Sequence, residues 1–126
     1  MNTTPIKIGG RTFALAFPLS ALERMQEMHP DFDVGMITDH ARTPSGLLDL
    51  LTVMATEGEQ LEGRVLDVDR AWFGARIPPA PAKVARIQIA VLNALTKWLT
   101  METEDDEEFE HDVVLEEIKK KEATGT

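Results

Sequence analysis

With no cysteine, this chain has neither a thiolate nucleophile nor a soft metal ligand, so any chemistry must come from histidines, carboxylates, glycine pairs or aromatics. His29, His40 and His111 are far apart in sequence. No two of them share the i, i+4 spacing that places two imidazoles on one helix face around a metal. Each is flanked by Pro or acidic residues, which suits a surface or capping role. The carboxylates from Glu102 to Glu110 offer oxygen ligands for Ca²⁺ but lack the alternating Asp or Asn positions and the turn glycine of a calcium loop. They read instead as a solvated acidic linker. No phosphate loop is present: Gly9-Gly10 lies between two apolar runs, and neither Gly58 nor Gly63 is followed by Lys and Ser or Thr. Trp72, Phe73 and Trp98 have the surface to stack on a ligand, and core packing is the favoured reading for all three. Nucleophile, base and electrostatic stabiliser do not converge, so neither an enzyme nor a bound metal or cofactor is expected.

What remains is a binding module, and the placement of charge qualifies its partners. The net charge of −9 is unevenly spread. Residues 102–126 carry eleven acids against three lysines, while residues 1–101 carry eleven acids against ten bases. A nearly neutral body favours association, and an acidic tail keeps an assembly dispersed and repels nucleic acid. Nucleic-acid binding is therefore not expected. The opening MNTTPIKIGG lacks the basic segment and apolar run of a secretory signal, and no apolar stretch reaches the ~18 residues of a membrane span. A soluble chain in a reducing cytoplasm is expected, with no membrane partner.

The element that must position any binding surface is the stretch from about Pro81 to Met101. At 100° per residue, Val84, Ile87, Val91, Leu95 and Trp98 form one stripe. Ala85, Ile89, Leu92 and Leu99 widen it past half the circumference, leaving Lys83, Arg86, Asn93 and Lys97 in a narrow polar strip around Ala90. Such a helix must bury most of its surface inside its own domain or against another chain. Upstream, IKIGGRTFALAF reads as two short strands around a Gly9-Gly10 turn, with Phe13, Leu15 and Phe17 on one face and little to bury on the other. A lone hairpin is marginal in water, so it leans on helices or joins a neighbour's sheet through its edge.

Ser20 to Glu23 has the pattern of a capping box, opening a helix to about His29 with Leu19, Leu22, Met25 and Met28 on its apolar side and Pro30 as its stop. Residues 31–42 allow one helical turn. Thr43-Pro44 reads as N-cap and first residue of a second apolar helix that Gly58 closes. Gln60 to Arg64 reads as a loop. Asp67 or Asp69 caps a short helix holding Trp72 and Phe73 and broken near Gly74, and Ile77 to Pro81 forms a stiff connector. The fold expected is α+β, mostly α: an N-terminal hairpin, four to five helices over residues 1–101, and a flexible acidic tail over 102–126. In that tail DVVLEEIKKK has the charge order of a short amphipathic helix.

In this order, the hairpin IKIGGRTFALAF, the helix PLSALERMQEM, the DVDRAWF turn, a long apolar helix and an acidic linker ending in DVVLEEIKKKEATG resemble the tail assembly chaperones of long-tailed bacteriophages. The resemblance implies a non-enzymatic protein of the host bacterial cytoplasm that forms homo-oligomers. It also implies that the protein coats and solubilises the tape measure protein and helps recruit the major tail (tube) protein through a frameshifted longer form. Lysine is encoded only by AAA or AAG, so Lys119, Lys120 and Lys121 force an A-rich run and are the candidate frameshift position. Ile6 and Ile8 on the hairpin, with Ile89, Leu92 and Leu99 on the long helix, form the candidate protein-binding surface. The competing expectation is an acidic decoy or adaptor that occupies a host nucleic-acid-binding protein. Its charge, however, is confined to a tail and is not laid out on a rigid face.

Overall fold

The computed structural model describes residues 2–101 and is α+β, mostly helical. A two-stranded antiparallel hairpin, β1 (Thr4–Ile8) and β2 (Arg11–Leu15), opens the chain. Gly9 and Gly10 have φ of 59° and 80°, the left-handed pair that a two-residue primed turn requires and that only glycine adopts without strain. The register sets Ile6 opposite Phe13 and Thr4 opposite Leu15, so one face of the hairpin is apolar and turned inward. Ala14 and Ala16 are buried as well, against the expectation that this side of β2 has little to bury. The outer edge of β2 lies on a helix, to which Ala16 N–H donates through Met54 O at 3.1 Å.

That helix, α3 (Pro44–Leu61), is the centre of the domain. Thr43 caps it, its hydroxyl accepting from Gly46 N–H, and Pro44 occupies the first helical position, where a missing N–H costs nothing. It packs on β2 and on α1 (Leu19–Met28), α2 (Ile37–Arg42), α4 (Arg70–Arg76) and α5 (Pro81–Thr100). A 3₁₀ turn, Val34–Met36, leads into α2. Leu50, Leu51, Met54 and Ala55 of α3 meet Phe13, Leu15, Met25, Phe32 and Ile37 in one core.

Four local expectations change. Gly58 does not end α3, which runs on to Leu61; it is glycine because a Cβ there collides with Ala14 O, and the helix lies directly on the strand backbone. Gln60 and Leu61 are accordingly helical. The capping box at Ser20 does not form, because α1 begins two residues earlier, at Leu19 behind Pro18. The Ser20 hydroxyl instead donates to Glu57 Oε2 at 2.9 Å, beside Arg24 Nε, which donates to Glu57 Oε1 at 2.6 Å. Glu57 is buried, and ion pairing with hydrogen bonding is what makes a buried carboxylate tolerable. On α1, Ala21 and Met25 face the core while Leu19 is 80% exposed, so the apolar side is narrower than its sequence implies. Helix α4 also continues through Gly74, after Asp69 caps it by accepting from Trp72 N–H at 2.9 Å.

Among the described residues no helix is long and apolar enough to cross a membrane. The acidic segment 102–126, with the short helix expected in it and Lys119, Lys120 and Lys121, lies outside the described residues.

Candidate protein-binding surface

Helix α5 opens at Pro81 after the Ile77 to Ala80 connector and buries only Ile87, Val91, Ala94 and Leu95. Val84, Leu92 and Trp98 are half-buried against the core. Its C-terminal end is tied to the start of the chain: Trp98 Nε1 donates to Asn2 O at 2.8 Å, and Lys97 Nζ donates to Thr3 O at 2.9 Å. Gln88 Nε2 donates to Ala41 O at 2.9 Å and holds the opposite flank to the end of α2. The helix is therefore fixed on two sides, and its outward quadrant is left over.

That quadrant carries two of the proposed contact residues in the open, Ile89 at 57% and Leu99 at 59% exposure, with Leu92 half-buried between them. At 100° per residue the three fall within about 80° of arc, and Ala85 and Thr96 on the same arc add no charge. The result is an uncharged, branched aliphatic strip, the kind of surface on which another helix packs by setting ridges into grooves. Ile6 and Ile8 do not belong to it. Both are buried, at 7% and 4% exposure, because β1 alternates inward at Ile6 and Ile8 and outward at Pro5 and Lys7. The hairpin side of the expected surface is thereby corrected: Ile6 and Ile8 serve the protein's own core, and β1 presents Pro5, Lys7 and its backbone edge.

The aromatics and histidines also find places. Phe13 meets Phe73 and Trp72 edge-on at 5.1 and 5.6 Å, and Phe73 is fully buried, as core packing requires. Arg76 lies 4.1 Å from the Trp72 ring centre, a cation–π contact at the hairpin turn. His29 and His40, distant in sequence, stack edge to face at 4.8 Å, and Phe32 covers His40 at 4.9 Å. His29 Nε2 lies 3.1 Å from Asp49 Oδ2, while Arg70 Nε donates to Asp49 Oδ1 at 2.8 Å. Of the surface or capping roles expected, His29 takes the second as the C-cap of α1, and the two histidines also share a polar junction of α1, α2, α3 and α4. Sequence spacing could not reveal it, because its members come from four different helices or their caps. Among the described residues no side-chain hydroxyl hydrogen-bonds either imidazole, and no three His, Cys, Asp or Glu groups converge to hold a metal ion.

No family model matches the chain, and neither a curated protein nor a solved structure matches it. The α5 strip is consequently read from its own geometry.

Proposed function

We propose that this chain is a phage tail assembly chaperone that multimerises, coats and solubilises the tape measure protein in the host cytoplasm, and helps recruit tail tube subunits. The uncharged strip of Ile89, Leu92 and Leu99 carries the reading. Covering a fully exposed Leu or Ile stabilises a complex by roughly 1.5–3 kcal/mol, and these residues are partly covered already. One protomer's strip is therefore a weak site, whereas many protomers along a long helical partner bind by avidity. A coat of that kind supplies what an extended, aggregation-prone helical protein needs before its tube assembles around it. The order of hairpin, helices and acidic segment supports the same reading through its resemblance to these chaperones. Chemistry plays no part in it.

The test is co-expression with the tape measure protein of the same genome, followed by size-exclusion chromatography with light scattering. The expected result is a soluble co-eluting complex, and concentration-dependent oligomers of the chain alone. The double substitution Ile89→Asp, Leu99→Asp should abolish both while leaving the circular dichroism melt in place. A strictly monomeric chain that leaves the tape measure protein insoluble would refute the proposal.

A further inference from the structure

The described residues hold ten lysines and arginines, and their partners divide them sharply. Arg11, Arg24, Arg42, Arg64 and Arg70 each lie within 4.0 Å of a carboxylate, and Lys97 bonds the carbonyl of Thr3. Of the five without a carboxylate partner among the described residues, Lys7, Arg76, Lys83 and Arg86 line one groove, Arg76 while also donating to Trp72 O at 3.2 Å. It runs between the outer edge of β1 and the first half of α5, has a volume of about 350 Å³, and has no acidic residue in its lining. Apolar side chains share its lining, Ile87 and Ala90 among them.

Four cations with no carboxylate partner among the described residues, set in a groove whose lining is also partly apolar, select an anionic peptide with occasional apolar side chains. We infer that the occupant is the chain's own segment Glu102 to Glu110, seated along β1 in the same protomer. The segment has seven acids, no base, and one aromatic, Phe109. Its origin is on the right side: Trp98 and Lys97 pin the end of α5 to Asn2 and Thr3, which precede Pro5, the first β1 residue of the groove's lining. Its length is sufficient. Lys83, the farthest cation on α5, is about 27 Å back along the helix axis from Met101 at 1.5 Å per residue. Nine extended residues reach about 30 Å. The segment would run parallel to β1, whose edge is open. Ile8 and Arg11 flank the two-residue turn as a hydrogen-bonded pair, so the Lys7 peptide groups point away from β2, and Pro5, which has no N–H, occupies the other outward position. Tethering at Met101 gives an effective concentration of order millimolar, which favours the same protomer over a neighbour in dilute solution. Seated, the acids neutralise the groove; released, they leave a cationic sheet edge. The seating stands independently of the chaperone reading.

Because the chain has no cysteine, His111→Cys provides a unique site for a nitroxide label and keeps all seven acids of the segment. In the full chain at low salt, the amide signals of Lys7, Ile8 and Arg86 should weaken about twofold or more. They should recover in about 1 M NaCl, where the screening length falls to about 3 Å. Lys83→Glu, Arg86→Glu should remove the effect, both residues being exposed. The salt comparison gives the same test without mutation. A mixture of isotope-labelled cysteine-free chain and spin-labelled unlabelled chain should show none of it at the same concentration. Equal broadening in the mixture would overturn the inference in favour of a second copy's segment. Broadening that is absent, or uniform over the surface, would overturn it altogether.

Discussion

Helices α3 and α5 are close in length, 18 and 20 residues, and both are rich in aliphatic side chains, yet ten residues of α3 are buried against four of α5. The difference does not follow the amount of apolar surface. Helix α3 is surrounded because small residues let neighbours approach its axis: Gly58 takes the backbone of β2, Gly46 takes the carbonyl of His40, and Ala55 is fully buried. Two of its buried residues are glutamates, accepted because Ser20 and Arg24 serve Glu57 and because Arg64 donates to Glu59 at 2.6 and 3.0 Å. Helix α5 has branched aliphatics around most of its circumference but no glycine, and it packs from one side. Close approach, more than hydrophobicity, decided which helix became the centre. The surplus apolar surface on the other is available for partners.

Substitutions should break the two helices unequally. The largest effect is expected in α3. Leu50→Ala, at a fully buried position, should cost about 2–5 kcal/mol. Gly58→Ala should cost a net ~2–3 kcal/mol through overpacking against Ala14, even after the ~1 kcal/mol that alanine contributes to helix propensity. Ile89→Ala and Leu99→Ala in α5 should stay within about 0.5 kcal/mol for the monomer. Urea unfolding at low protein concentration measures all four. Equal losses in the two helices would erase the distinction.

A middle-sized effect belongs to the polar clamp. Arg24→Ala leaves the buried Glu57 with only Ser20, and should cost about 1–3 kcal/mol. In the Glu57→Gln background the same change should cost much less, because the charge that needed a partner is gone. A double-mutant cycle reads this coupling, and additivity would show that Arg24 and Glu57 act separately.

The smallest effect lies away from both helices, at the ion pair between Arg11 on the hairpin and Asp67. The hydrogen bond from the Arg11 guanidinium holds the Asp67 carboxyl below its ordinary range. A folded pKa below the unfolded one contributes stability above the unfolded value, and that contribution disappears as pH falls through the folded value. Asp67 should therefore titrate at lower pH than an unpaired aspartate in a side-chain carboxyl NMR experiment, and Arg11→Ala should move it back up. Both partners are exposed, so the melting temperature near neutral pH should hardly respond. An unchanged Asp67 titration in the Arg11 variant would separate the pair.

Residue order alone determined the local punctuation. Gly9-Gly10 reads as a hairpin turn, Thr43-Pro44 as a helix start and Asp67 or Asp69 as a cap, of which Asp69 is the one used, and the 3.6-residue period of residues 81–100 set that helix to within a residue of its observed end. These features depend on neighbours a few positions apart, whose sterics and hydrogen bonds are complete before any tertiary contact forms. Tertiary structure decided what needs two distant segments at once. Ser20 had a local partner in Glu23, but a buried carboxylate 37 residues away was the more demanding acceptor. Gly58 looked like a helix end and is a point of backbone contact, and Ile6 and Ile8 are buried on the face of β1 that packs into the core beside α5. Lys7 on β1, Arg76 on α4 and the Lys83–Arg86 pair on α5 come from three separate elements and meet only because the fold brings those elements together. Charge acts through space, and its grouping belongs to the fold.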